Sequence, residues 1–107
     1  GTMPDPETLV PGVEATSALR ILYIQGLVQT PSPCYDLVPD FEKKGSSLTL
    51  RVGASRDDGT ACDVGKGGFR YNAVISGLKR GTYTLRVVHS IDGAQANEFN
   101  LSVAVVQ

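Results

Sequence analysis

Tryptophan is missing from this 107-residue chain, histidine and methionine occur once each, and only two cysteines are present. Each scarcity excludes something. Without tryptophan there is no Trp-centred core of the antibody-domain kind, and the ring most used in glycan-binding platforms is absent. With His89 as the single histidine, any Ser-His-Asp or Cys-His catalysis has to run through it, and no zinc set of histidines and cysteines can be assembled. Neither sign of charge dominates: 10 basic residues face 11 acidic ones. Nucleic-acid binding normally requires a basic face, and the pairs Lys43-Lys44 and Lys79-Arg80 read as solvated turn tips, so no nucleic-acid partner is expected. No apolar run approaches the roughly 20 residues of a membrane helix, which argues against direct membrane insertion. A helical 3.6-residue stripe of useful length is also absent.

What the chain does have is alternation. Leu48, Leu50, Val52 and Ala54 alternate with Thr49, Arg51, Gly53 and Ser55, the pattern of a half-buried strand. The same period recurs through residues 69–75, 83–89 and 99–105, and residues 19–24 read as a first strand that is apolar on both faces in its middle. Punctuation falls between these runs. Thr30-Pro31-Ser32-Pro33 stops one strand, and Pro39 puts the following strand, residues 34–42, at an edge or breaks it. Lys43-Lys44-Gly45-Ser46 and Asp92-Gly93 are turns, and Asp58-Gly59 carries a hairpin signal. Gly26 inside a strand marks a bulge or a close backbone approach. Six or seven short strands at regular spacing predict an all-β fold, an antiparallel β-sandwich.

Residues 1–16, with Pro4, Pro6, Pro11, Asp5 and Glu7, read as a flexible proline-rich tether, and 17–107 as one sandwich domain. Gly1-Thr2-Met3 has the look of an expression scar, which leaves room for a leader ahead of it.

Residues 69–87, and above all Leu78-Lys79-Arg80-Gly81-Thr82-Tyr83-Thr84-Leu85-Arg86-Val87, resemble the closing half of carboxypeptidase regulatory-like (transthyretin-like) modules. The same run is similar to the corner before the penultimate strand of immunoglobulin-like and fibronectin type III domains. The resemblance implies a sandwich of one of these kinds, with Tyr83 folding back to bond the backbone at the corner. It also implies an adhesion, spacer or recognition role. Departures are visible: the strand ahead of Leu78 is long for the carboxypeptidase-associated modules, and a bridge between Cys34 and Cys62 belongs to neither pattern.

Candidate site residues follow from chemistry. Cys34 and Cys62 have no Cys-x-x-Cys spacing, and their simplest use is one disulfide, which places the protein in an oxidising compartment, extracellular or periplasmic, either free or lipid-anchored. Asp57, Asp58 and Asp63 suggest calcium only superficially. They lack the alternating carboxylates and the bidentate Glu of a calcium loop, so an Asp-capped turn is the better reading. The glycines around Lys66 precede a strand rather than a helix and therefore do not make a phosphate cradle. His89, in register with Tyr83, Leu85 and Val87, reads as a rim or core-edge histidine. Of the tyrosines, Tyr23, Tyr35 and Tyr71 are free to form a ring platform.

The chain is therefore expected to be a non-catalytic recognition or structural module with no cofactor and no metal, part of a secreted or surface-anchored protein. Its partner would be a protein or glycan at a cell surface, met by loops carrying Ser32, Tyr35, Asp57, Asp58, Asp63, Lys66 and Tyr71. Two other readings are a protease inhibitor presenting the disulfide-braced loop and a carbohydrate-binding module. Thiol titration in denaturant without reductant is expected to find no reactive thiol, and reduction is expected to cost about 3–4 kcal/mol of stability; two titrating thiols would remove the disulfide.

Overall fold

The computed structural model describes residues 11–56, 65 and 67–106. Seven strands fill them: β1 (Gly12–Ala18), β2 (Ile21–Thr30), β3 (Tyr35–Lys44), β4 (Ser47–Arg56), β5 (Gly67–Ile75), β6 (Gly81–Ile91) and β7 (Ala94–Val105). They form two sheets, a three-stranded one in the order β1-β2-β5 and a four-stranded one in the order β3-β4-β6-β7. The expected all-β sandwich is thus observed, and β1 begins at Gly12, earlier than the domain start expected at residue 17.

One expectation needs correction: the sandwich is not antiparallel throughout. β4 and β6 run parallel, with Val52 opposite His89 and Leu50 opposite Val87. The reason is parity. Strands alternate in direction along this chain, and β5 crosses to the other sheet, so β4 and β6 become neighbours with the same direction. The same crossing means that β4 and β5 form no hairpin, whatever Asp58-Gly59 signals. That dipeptide lies outside the described residues.

The core is built from the alternating positions. Leu22, Ile24 and Val28 of β2 face Leu48, Leu50, Val52 and Ala54 of β4, and Leu85 and Val87 of β6; Leu78 closes one end. Fully burying a side chain of this size contributes roughly 1.5–3 kcal/mol, so these positions dominate the stability. The opposite face of β4 and β6 is laced with charge. Arg86 binds Glu98 at 2.6 Å, and Arg51 stands 3.7 Å from Asp40 and 3.8 Å from Glu42. The bonds from Arg86, and then from Asn100, hold the Glu98 carboxyl below the usual carboxylate range.

Turn chemistry fixes the two ends. Asp92 and Gly93 both take positive φ, the type I′ pattern that suits a two-residue hairpin. Gly45 takes it alone at the first central position of the β3–β4 turn, as in type II′. The β1–β2 turn is the exception, because Leu19 and Arg20 hold φ of 52° and 67° without being glycine. Three hydrogen bonds keep Arg20 there. Its N–H donates to the Val106 carbonyl (3.1 Å), its Nε–H to the Leu78 carbonyl (2.8 Å), and its own carbonyl accepts from Leu78 N–H (3.2 Å). At the neighbouring corner the Tyr83 hydroxyl donates to the Lys79 carbonyl at 2.8 Å, the fold-back expected of that tyrosine.

Candidate functional site

The two sheets differ in width by one strand, and this creates the molecule's open side. On one flank β1 packs against β7, where the Ser17 hydroxyl donates to the Ala104 carbonyl. On the other flank the terminal strands are β5 and β3, and β3 reaches beyond the cover of β5. Burial along one cross-strand row records this. Val87 is 0% exposed and Leu50 3%, whereas Phe41, next in the row, is 40% exposed. Leu37, Pro39, Leu50 and Val52 line one wall and floor of the resulting groove, and Tyr71, Asn72 and Ala73 line the other; its volume is about 200 Å³.

Behind this groove lies the most polar part of the interior. His89 is 0% exposed, and its Nε2 stands 2.6 Å from the Tyr71 hydroxyl of the opposite sheet. The two rings meet edge to face at 5.5 Å, and Phe99 meets His89 from its other side at 5.3 Å. Tyr71 reaches inward because its cross-strand partner is Gly26. A Cβ at Gly26 would overlap the tyrosine ring, so the close backbone approach expected at this glycine is the approach of an aromatic side chain. A register shift between His89 and Ser90 interrupts the β6–β7 ladder beside the pair, which resumes with Ser90 opposite Gln95.

Burial sets the protonation of both partners. It pushes the Tyr71 phenol up to about 12 and lowers His89 from its usual 6.5, so both are neutral at pH 7. Nδ1 of His89 has no partner among the described residues. With the proton on Nε2, the imidazole donates to the Tyr71 oxygen, Nδ1 is a bare acceptor and the phenol proton has no acceptor among the described residues; with the proton on Nδ1, the Tyr71 hydroxyl donates to Nε2 and Nδ1–H is unpaired. Each tautomer leaves one donor of the pair over, so the donor count does not choose between them, and the Tyr71–Nε2 bond forms in both. His89 is therefore a fully buried inter-sheet bond partner rather than the rim or core-edge residue expected, because β5 sends a tyrosine over it. No substrate can touch its ring without parting the sheets.

The expected recognition residues are divided. Ser32 sits in the loop after β2, where its carbonyl accepts from the Thr30 hydroxyl at 2.6 Å. Tyr35 opens β3 and is buried, its hydroxyl donating to Asp92 at 2.9 Å. Tyr71 lies in the middle of β5, far from any loop tip. Among Tyr23, Tyr35 and Tyr71, Tyr23 alone has its ring in the open, so the three do not share a platform. Asp57, Asp58, Asp63 and Lys66 lie outside the described residues. So does Cys62, and with it the proposed bridge to Cys34, although Arg56 and Gly67, which flank the segment 57–66, stand at the Cys34 end of their strands. Among the described residues no three His, Cys, Asp or Glu side chains are grouped to hold a metal. The groove escaped the sequence reading because its residues belong to three strands whose order was not legible; Phe41 and Pro39 on one face of an edge strand were its only trace.

No family model, no curated protein and no solved structure matches this chain.

Two outcomes follow from the buried pair. Gly26→Ala is expected to cost about 2–4 kcal/mol by displacing the Tyr71 ring and orphaning His89. The same change in a Tyr71→Ala background should cost less than about 1 kcal/mol, a coupling that urea denaturation of the four-member cycle reads directly. The depressed His89 value also has a sign. The unfolded chain takes up the proton near 6.5 and the folded one only lower, so stability is full above that value and falls as pH drops below it. Denaturation midpoints between about pH 7.5 and pH 5, above most carboxylate titration, should decline in the parent and stay flat in His89→Gln.

Proposed function

We propose that this domain is a non-catalytic recognition or structural module of a secreted or surface-anchored protein, and that it meets its partner at the groove between β3 and β5. The observation that carries this reading is the uncovered apolar face of β3. Phe41 is 40% exposed on the inner face of an otherwise closed sandwich, beside a groove whose walls are preformed. Concave, mostly apolar sites of this kind are where ligands settle. The proposal places the module in an oxidising compartment, on the expected pairing of Cys34 with Cys62.

Kinship with immunoglobulin-like or transthyretin-like modules is part of the proposal. The Tyr83–Lys79 bond supports it, being the corner bond of immunoglobulin-type domains. The parallel β4–β6 pair is a departure, since the immunoglobulin arrangement pairs its third strand, not its fourth, with the sixth.

The test separates a binding residue from a core residue. Phe41→Ser should change stability by less than about 1 kcal/mol, as for a surface position, and should abolish uptake of the apolar dye anilinonaphthalene sulfonate by the native protein. A large loss of stability would make Phe41 a core residue, and unchanged dye uptake would remove the exposed face of β3 beside the groove as part of the binding site.

A further inference from the structure

The groove has a second property besides being apolar: one of its walls is an unpaired strand. β5 bonds β2 along its full length, and among the described residues no strand lies on its other side. Its nine residues, Gly-Gly-Phe-Arg-Tyr-Asn-Ala-Val-Ile, carry only one of the devices that blunt an exposed edge, the outward charge of Arg70. There is no proline, no lysine and no inward-pointing charge. The opposite edge, β3, does carry such a device in Pro39, which has no N–H to offer.

Geometry limits what can pair there. Strands in a sheet are spaced about 4.8 Å apart, and β3 stands one strand outboard of β4. The place beside β5 and above β3 is therefore one strand wide. A second copy of this domain cannot use it, because bringing its β5 alongside would drive its own β4 into the space that β3 already fills. A lone extended chain fits. Its inward side chains would lie over Leu37, Pro39 and Phe41, and its backbone would take up the free bonding groups of β5. On its outward side the nearest charge on β5 is Arg70, which is exposed and has no carboxylate partner among the described residues.

We propose that the open side accepts one extended segment of a partner protein as a fourth strand beside β5, apolar at every second position and acidic opposite Arg70. This rests on the groove being the recognition site and specifies its ligand. Main-chain bonding to β5 supplies the affinity common to all such segments, and the alternate pockets supply the choice among them.

The test uses isotope-labelled protein and three capped probes: the heptapeptide Val-Glu-Val-Thr-Val-Glu-Val, and the same peptide N-methylated at every second residue in each of the two frames. The parent peptide should protect alternate amides of residues 67–75 from solvent exchange and shift resonances of residues 37–41. One N-methylated frame should bind at least about tenfold more weakly, because its bonds to β5 are gone. Arg70→Glu should weaken the acidic peptide about fivefold or more and favour its lysine counterpart. If both methylated frames bind as well as the parent, strand addition fails while the groove survives as an apolar binding site. If no peptide perturbs β5 although Phe41→Ser still abolishes dye uptake, strand addition fails alone. Dimerisation through β5 in sedimentation would also overturn it.

Discussion

The tyrosine that crosses from one sheet to the other over a glycine governs most of what is distinctive in this domain. Tyr71 lies on Gly26, and its hydroxyl meets His89 at 2.6 Å, so one side chain joins the sheets through the middle of the core. The arrangement satisfies a phenol and one imidazole nitrogen at once and leaves only Nδ1 without a partner. It also decides the shape of the open side. With its ring drawn inward over Gly26, Tyr71 forms a wall of the groove instead of filling it. Were position 26 to carry a side chain, its Cβ would overlap the ring, and this wall of the groove could not stand where it does. A glycine on β2 thus sets the place of a wall residue on the neighbouring strand.

Strand order is the other determinant. Because β4, not β3, pairs with β6, the β3–β4 hairpin lies with β3 outermost. Pro39 can then sit within a ladder, since its missing N–H is tolerable on an edge strand. The same order leaves β3 without a strand opposite it. Its two faces answer differently to this exposure. The outer face carries Asp40 and Glu42 near Arg51, an ordinary solvated surface. The inner face keeps Leu37, Pro39 and Phe41; Leu37 packs against the core, while among the described residues no strand covers Pro39 and Phe41. The inner row is apolar throughout, whereas the outer row is charged apart from the exposed Val38, and a continuous apolar row at an open edge has the composition of a surface that meets something.

Much of the local structure was legible because it is written in nearest-neighbour terms. Alternation marked β4, β5, β6 and β7; Pro31 and Pro33 stopped β2 at Thr30; Asp92-Gly93 and Gly45 named their turns; and the spacing from Leu78 to Tyr83 gave the corner bond to Lys79. β1 was missed because Val13, Ala15 and Ser17 form a weakly apolar row after a proline, and because its turn uses Leu19 and Arg20, residues that carry no turn signal. That turn is stabilised by bonds to Leu78 and Val106, which are distant in sequence. Sheet order, the parallel pair and the groove were illegible for a related reason. The alternation of a strand tells which residues face inward but not which strand stands beside it, and the open side exists only as a difference between two sheet widths. His89 looked like a rim residue because nothing local says that Tyr71 will be laid over it.

The energetics of adding a strand constrain what kind of encounter this surface serves. Ordering the backbone of a seven-residue segment costs roughly 7–14 kcal/mol. Against this stand three apolar side chains at roughly 1.5–3 kcal/mol each and a few backbone bonds at roughly 1 kcal/mol net. The terms nearly cancel. A free peptide would therefore hold on weakly, and useful occupancy requires that the entropy be reduced beforehand. Two physical routes do so: a segment already extended within its own folded protein, or one tethered nearby, for which a short linker supplies millimolar effective concentration. The preformed side of the contact is already provided here, since β5 is held by nine register positions to β2 and by Tyr71 to His89. Selectivity then belongs to whatever presents the segment, and this domain contributes a rigid edge that reads extension, alternation and charge.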